Sequence, residues 1–440
     1  TSLIVLKQAL NNLASGFSHL EDFTESADNT DIEKILLHVS QRLHNNYPYF
    51  HPLYAGQMLK PPHPIARLAY MLSMWINPNN HALDGGKESS AMEKEAVKGI
   101  AAMFGWKEFL GHLTGGGTMA NMEALWISSL EKSGKTILVS EQAHYTHQRI
   151  SEVLGLKYDL IPCDSAARMD IDYLRKRLTK GDVGTLVATI GTTGTGSVDP
   201  LPQIIELKEQ YDFRLHADAA YGGYFILTEN LDSETQEVYN SLSQVDSIVI
   251  DPHKHGLQPY GCGCILYKNP GVGKHYQHSS PYTYFTSDEL HLGKISLECS
   301  RAGASAVALW ATQKLFLLQK GGIFARNLTK SLKAARELYK RLDEDNRFRT
   351  IMAPELDIVV WAMEGGSSSD ISEASQVFFN RAAEKNLHLA LFKYPVSLLE
   401  KKWQDVHFDT PQVTCVRSCL MKPEHLDWID RIWKIIDTIA

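Results

Sequence analysis

Arg214-Leu-His-Ala-Asp-Ala-Ala-Tyr-Gly-Gly223 and Ser247-Ile-Val-Ile-Asp-Pro-His-Lys254 share one pattern: a short apolar run, then a carboxylate, then small residues or a turn. Runs of this length, bounded this way, read as buried strands, here over 214–217 and 247–250. Working outward, Thr136–Val139, Thr185–Ile190 and Cys264–Tyr267 repeat the pattern, and the stretches Ala91–Phe104 and Met119–Lys132 have helical character. Apolar runs separated by helical segments predict an α/β architecture, a mostly parallel sheet flanked by helices. In such a sheet ligands bind beyond the C-terminal strand ends. The chemically versatile residues fall there: Ser140–His144, Gly191–Gly196, Asp218–Gly223 and Asp251–Lys254. Four such sets at one sheet edge are hard to attribute to packing.

The remainder of the chain bounds the alternatives. Its 440 residues are 44% apolar and 22% charged, which excludes a disordered chain, a collagen-like repeat and a coiled-coil rod. With 44 basic against 51 acidic side chains the net charge is −7, a poor basis for nucleic-acid or anionic-membrane binding. Six scattered cysteines do not form a secreted disulfide framework, and Cys262/Cys264 and Cys415/Cys419 lack zinc-ligand spacing, so no metal is expected. No segment approaches the roughly 20 apolar residues of a membrane span. The N-terminal apolar stretch meets Lys7 too soon for a secretory signal, so a soluble, cytoplasmic protein is expected.

Three regions are expected. Residues 1–60 form a helical arm, with Leu3, Leu6, Leu10 and Leu13, then Ile32, Ile35, Leu36 and Val39, at helical spacing. Its end, from His51-Pro52 to Pro61-Pro-His-Pro64, breaks regular structure and should wrap over something else. Residues 61–320 form the large α/β domain. Residues 321–440 form a smaller α+β domain, with a helix over Ser331–Leu342 and strands over Ile358–Ala362 and Val413–Leu420.

Each site residue has a bland reading beside the sharp one. An isolated lysine is usually a solvated charge, but Lys254 follows a buried strand and precedes Gly256 and the turn Pro259–Gly263, which aims it into a cleft. A desolvated lysine amine forms Schiff bases. Asp218 could cap a turn, yet Ala219 and Ala220 leave room beside it for a flat ring. Gly115-Gly-Gly-Thr118 could be an ordinary turn; at the start of a helix, its bare amides and hydroxyl suit a phosphate. His144 could be a surface histidine or could stack on a planar group. Lysine, aspartate, phosphate cradle and stacking imidazole together match the needs of pyridoxal 5′-phosphate (PLP).

The strings Gly-Gly-Thr-Met-Ala-Asn (116–121), His-Ala-Asp-Ala-Ala-Tyr-Gly-Gly (216–223) and Asp-Pro-His-Lys (251–254) resemble those of the group II PLP-dependent amino-acid decarboxylases. That family includes aromatic-amino-acid, glutamate, histidine and archaeal tyrosine/aspartate decarboxylases. The resemblance runs from about Pro61 to the C-terminus, with the aspartate 36 residues before the lysine. Ser300-Arg-Ala-Gly-Ala-Ser305 resembles the archaeal branch and its lyase relatives. The chain departs from the aromatic branch at Asp251, where Asn is common, and at His255, where Trp or Met often follows the lysine.

The resemblance implies the aspartate aminotransferase-like fold of PLP-dependent transferases (fold type I) and conversion of an L-amino acid to its amine and CO₂. It implies that Lys254 holds the cofactor as an internal aldimine and that the reaction passes through a quinonoid. Asp218 would pair with the ring nitrogen, while His144 stacks on one ring face and Ala220 packs against the other. Gly117 and Thr118 would receive the phosphate, with Asp251 and the catalytic His253 nearby, and Thr193 would stand beside the cofactor. Arg417 matches an arginine that binds the substrate carboxylate in the glutamate branch, its alternative being a structural ion pair. His81, in Asn77–His81, and the aromatic segment His51–Tyr54 are expected near the entrance. The segment His275–Gly293 resembles the family's mobile catalytic loop, with Tyr282 favoured over Tyr284 as proton donor, and implies a homodimer. A PLP-dependent carbon–carbon lyase or decarboxylating aldehyde synthase would use the same residues. A metal-binding or non-catalytic carrier is the reading from another class.

Overall fold

The computed structural model describes residues 2–21, 31–81, 85–277 and 295–440. Helices α1 (Ser2–Ser15), α2 (Ile32–Leu43), α3 (Pro64–Met74) and α4 (Lys87–Met103) lead into the alternating region. There β1 (Leu110–Thr114), α5 (Gly117–Glu131), β2 (Thr136–Ser140), α6 (Thr146–Val153), β3 (Lys157–Ile161), α7 (Ile171–Leu178) and β4 (Val183–Thr189) follow in turn. The region closes with α8 (Leu201–Gln210), β5 (Arg214–Asp218), α9 (Ser233–Ser241), β6 (Ser247–Ile250) and β7 (Gly263–Tyr267).

The seven strands form one sheet in the order β1-β7-β6-β5-β4-β2-β3. β2, β3, β4, β5 and β6 pair in parallel, whereas β7 runs antiparallel to both β6 and β1. The reversal has a local cause. Residues 251–262 between β6 and β7 contain no helix to carry the chain back across the sheet, so it returns antiparallel. That return places Lys254 in a turn at the C-terminal edge of the sheet. Two strands escape the sequence pattern. β3 is an edge strand whose Lys157 and Asp159 interrupt any apolar run, and β1 is diluted by Gly111 and His112.

Helices α10 (Gly303–Leu315) and α11 (Ile323–Asp343) follow. α11 begins earlier than Ser331 because Phe324, Ala325 and Leu328 extend its buried stripe by two turns. The C-terminal part adds β8 (Phe348–Thr350), β9 (Ile358–Met363), α12 (Ser368–Glu384), β10 (Ala390–Pro395), β11 (Gln412–Cys419) and α13 (Glu424–Ile439). Its four strands form an antiparallel sheet, β10-β11-β9-β8. Trp361, Phe348 and Phe378 meet edge to face in its core, with Leu338 and Leu342 of α11 and Ile432 and Ile436 of α13 in the same cluster.

Helices α1 and α2 contribute little to either core. Ile35 and Leu36 are 58% and 62% exposed, so the apolar face of α2 is left uncovered on this chain, whereas in α1 Leu3 is 73% exposed but Leu6 is buried. Among the described residues no helix is long and apolar enough to cross a membrane.

Candidate active site

The strand ends converge on one cavity of about 340 Å³. Lys254, Asp218, His144, His253, Asp251, Thr193, Ala220, Gly117 and Thr118 all line it. Lys254 and Asp218 reach it from consecutive strand ends, β6 and β5, which are hydrogen-bonded neighbours.

Asp218 is the most elaborately held group. Its carboxylate is 4% exposed and accepts from three donors. His147 Nε2 lies 2.8 Å from Oδ2, the Asn121 amide donates to Oδ2 at 3.3 Å, and the Ala220 N–H donates to Oδ1 at 3.2 Å. Burial alone would raise its pKa. The His147 hydrogen bond and the charge of Lys254 outweigh that and hold Asp218 well below the usual carboxylate range. Behind it stands a relay. Because Asn121 turns its amide nitrogen to Asp218, its Oδ1 faces His216 Nε2 at 2.9 Å, so that nitrogen carries the proton. His216 Nδ1 then accepts from Ser247 Oγ at 2.8 Å. Burial lowers His216 to about 3, so it stays neutral.

The phosphate end of the cavity is bare backbone. Gly116 caps α5 with φ +149°, a conformation that favours glycine, and no side chain caps the helix. A Cβ on Gly117 would lie 2.6 Å from Asp251 Oδ2, so only glycine lets the helix start pass beside that carboxylate. Thr118 Oγ1 lies 3.3 Å from Thr146 Oγ1. A helix start with free amides and a hydroxyl is an anion site.

Lys254 Nζ lies 3.1 Å from Asp251 Oδ2 and is 20% exposed at its side chain. Asp251 is buried, with Oδ1 meeting no hydrogen-bond partner among the described residues. His253 Nδ1–H donates to the Cys262 carbonyl at 2.8 Å, and its Nε2 stands 3.6 Å from Asp251 Oδ2. His144 accepts from the Thr146 N–H at 3.2 Å, and burial lowers its pKa, favouring a neutral ring suited to stacking. An amine, a fixed anion, a helix-start anion cradle and a neutral imidazole around one cavity fit a phosphorylated pyridine aldehyde such as PLP.

Arg417, on β11, is 5% exposed and reaches this region from the small sheet. It donates to the Thr193 carbonyl at 2.9 Å and to Gln57 Oε1 at 2.5 Å. Among the described residues it has no carboxylate partner, so the structural ion pair considered from sequence is not formed there. Arg301, another candidate cation, is consumed elsewhere: it pairs with buried Glu93 at 2.8 Å. His81 does not line the cavity of this chain; its backbone N–H bonds Asn79 Oδ1, next to Asn80, which bonds the Arg301 carbonyl. The segment His51–Tyr54 also packs elsewhere, His51 on Trp428 and Tyr54 against Tyr49. Tyr282 and Tyr284 lie outside the described residues.

Sequence reasoning missed His147, Asn121 as a donor, His216 and Gln57. His147 was legible in principle. Three residues after His144, it lies on the same face of the helical turn that starts α6. His147→Leu is expected to lower kcat roughly 10- to 100-fold, the worth of one charge-assisted hydrogen bond. KM should change little. His147→Gln, which keeps a donor, should restore much of the loss. Because His147 acts through Asp218, the visible spectrum of the cofactor-loaded Leu variant should shift as well; an unaltered spectrum and rate would reduce His147 to packing.

Comparison with known proteins agrees with this geometry. Residues 18–364 match the pyridoxal-dependent decarboxylase conserved domain. The L-tyrosine decarboxylase of Enterococcus faecium is 28% identical, over 80% of this chain and 76% of its own length. A probable L-tyrosine/L-aspartate decarboxylase of Methanothermobacter thermautotrophicus is 29% identical over 70% and 82%. The crystal structure of mouse CSAD superposes with a TM-score of 0.80 at 20% identity, covering 99% of this chain and 91% of that one, a likeness of fold. With the family match spanning most of the chain and the cavity built for its cofactor, this protein belongs to the pyridoxal-dependent decarboxylase family and is a PLP-dependent amino-acid decarboxylase.

Proposed function

We propose the following division of labour for the decarboxylation of an L-amino acid. Lys254 holds the cofactor aldehyde, Asp218 faces its ring nitrogen, and His144 and Ala220 flank the ring. Gly117 and Thr118 receive the phosphate, with Asp251 and His253 beside it and Thr193 at the cofactor's edge. When bound, PLP supplies the sink for the electron pair released as the bond from Cα to the carboxylate breaks. Asp218, kept anionic by His147, maintains the charge that makes this sink effective. Arg417 binds a substrate carboxylate, and Thr193 and Gln57 hold its guanidinium in place. Tyr282 returns a proton to Cα after CO₂ departs, and His81 belongs to the entrance.

A single observation carries this reading: Lys254 and Asp218 line one cavity, the carboxylate being buried yet held ionised. The test is production of CO₂ and amine in equal amounts by PLP-loaded protein. L-Tyrosine and L-aspartate, the amino acids in the relatives' names, are the first substrates to try. Cleavage without CO₂ would favour an aldol-type lyase, and aldehyde in place of amine an aldehyde synthase. Arg417→Met is expected to raise KM roughly 10- to 150-fold through loss of a charge-assisted contact of about 1.5–3 kcal/mol. A KM within twofold or so of wild type would make Arg417 structural.

The exposed apolar face of α2 supports a homodimer, since burying such a face is the usual role of a second copy. Light scattering at micromolar concentration should give twice the chain mass. Free cysteines fit a reducing, cytoplasmic setting. The division into an arm (1–60), a large domain (61–320) and a small domain (321–440) is proposed on the same footing, supported by the two separate sheets.

A further inference from the structure

A second cavity, of about 440 Å³, lies on the other side of the lysine turn: His255 and Leu257 line it, whereas His253 and Lys254 line the first. The segment Pro61–Pro64, which the decarboxylase reading leaves without a role, forms one wall, and Phe316, Phe324 and Leu328 form an apolar one. Its polar lining is cationic. Lys422 is 4% exposed; its Nζ donates to the Tyr54 carbonyl at 2.5 Å and sits 5.2 Å from that ring. Lys60 is half-buried and donates to the Met421 carbonyl at 3.2 Å. Among the described residues neither amine has a carboxylate within ion-pair distance. Burial lowers Lys60 to about 8 and Lys422 to about 7, so an anion placed between them would favour their charged forms.

Three further features point the same way. The N-termini of α3, capped by His63, and of α13, capped by Pro423, both open onto the cavity and bring the positive ends of two helix dipoles to it. His255, fully buried, has an Nδ1 with no hydrogen-bond partner among the described residues. Arg67 and Lys330 are exposed, as are the two acidic residues of the lining, Glu424 and Asp427 in the first turn of α13; Asp427 lies 3.9 Å from Lys330 and Glu424 acts on both Lys60 and Lys422. Lysine ammonium groups and helix starts recognise phosphate as point charges and dipoles, whereas carboxylate recognition favours the bidentate fork of arginine.

We propose that this cavity is a second ligand site, which takes a small organic phosphate whose anionic group meets Lys60, Lys422 and the two helix starts and whose apolar body lies on Phe316 and Phe324. It is separate from the cofactor cavity but adjoins it through Asp357, which accepts from Tyr221 of the first cavity at 2.6 Å and lies 3.4 Å from His255 Nε2.

The test is calorimetric titration of the PLP-loaded enzyme, so that the first phosphate cradle is already filled and heat rather than turnover is read. The probe is phenyl phosphate, with inorganic phosphate and benzoate as separate arms. Saturable one-to-one binding of phenyl phosphate is expected, displaced by inorganic phosphate, with benzoate weaker by about tenfold or more. Lys422→Met should weaken phenyl phosphate by about tenfold or more, and the surface change Arg67→Gln, which leaves the packing alone, by about threefold. No saturable heat, or wild-type affinity in both variants, would overturn the site; benzoate binding as tightly as phenyl phosphate would overturn its assignment to phosphate.

Discussion

Lys254→Ala is expected to lower kcat by on the order of 10³-fold or more, the scale seen when a covalent nucleophile is removed. Among the described residues no other lysine lines the cofactor cavity, so none of them can substitute. The turn that carries Lys254 should survive, because its bonds are made by backbone: the Lys254 N–H to the Asp251 carbonyl at 2.9 Å and the His253 N–H to the Cys262 carbonyl at 3.2 Å. Asp251, buried and paired with the lysine amine at 3.1 Å, loses that partner in the variant. The cofactor is therefore expected to be held without a covalent bond. Borohydride followed by mass spectrometry should fix it to the wild-type chain and leave the variant unmodified. A variant that retained amine production within tenfold or so, or that still took up the label at another lysine, would refute the assignment.

Asp218→Asn should lower kcat by about 10²- to 10³-fold, the range found when one preorganised electrostatic group is deleted from an active site. The shape is kept and the charge is lost. The amide nitrogen also meets donors: His147 and Asn121 both point hydrogen at Oδ2 and the Ala220 N–H at Oδ1, so either that pair or the Ala220 N–H must face the new N–H₂ or turn away. Stability supplies a second readout in cofactor-free protein. The folded pKa of Asp218 is depressed, so the ionised group contributes stability above its unfolded value near 4, and that contribution fades as the pH falls below it. The Tm gap between wild type and Asp218→Asn should therefore be largest near neutrality and narrow below about pH 4. A gap that widened in acid would contradict an ionised Asp218.

Much of the scaffold was legible because buried parallel strands are written as uninterrupted apolar runs. Val183–Thr189 and Ser247–Ile250 are buried throughout and stand out from the sequence. β3 and β1 did not, since an edge strand and a strand broken by glycine and histidine lack that run. The antiparallel direction of β7 was hidden too, because its composition matches that of its parallel neighbours; only the missing crossover helix distinguishes it. Among site residues, Lys254, Asp218, His144 and the Gly117-Thr118 cradle were marked by strand ends and glycine. His147 and Asn121 sit inside helices, where polar residues ordinarily mean a solvated face, and here the same positions turn inward to a buried carboxylate.

The chain by itself determined what is local or periodic: the alternation of strand and helix, the glycines that bare a helix start, and the spacing that puts an aspartate and a lysine on successive strand ends. Tertiary structure decided which charges are paired and which are spare. Arg301 is spent on Glu93, while Arg417 makes no ion pair among the described residues; nothing in their sequence surroundings separates them. The reason is that the free energy of a buried charge depends on solvent exclusion and on partners hundreds of residues away, and these exist only once the sheets have assembled.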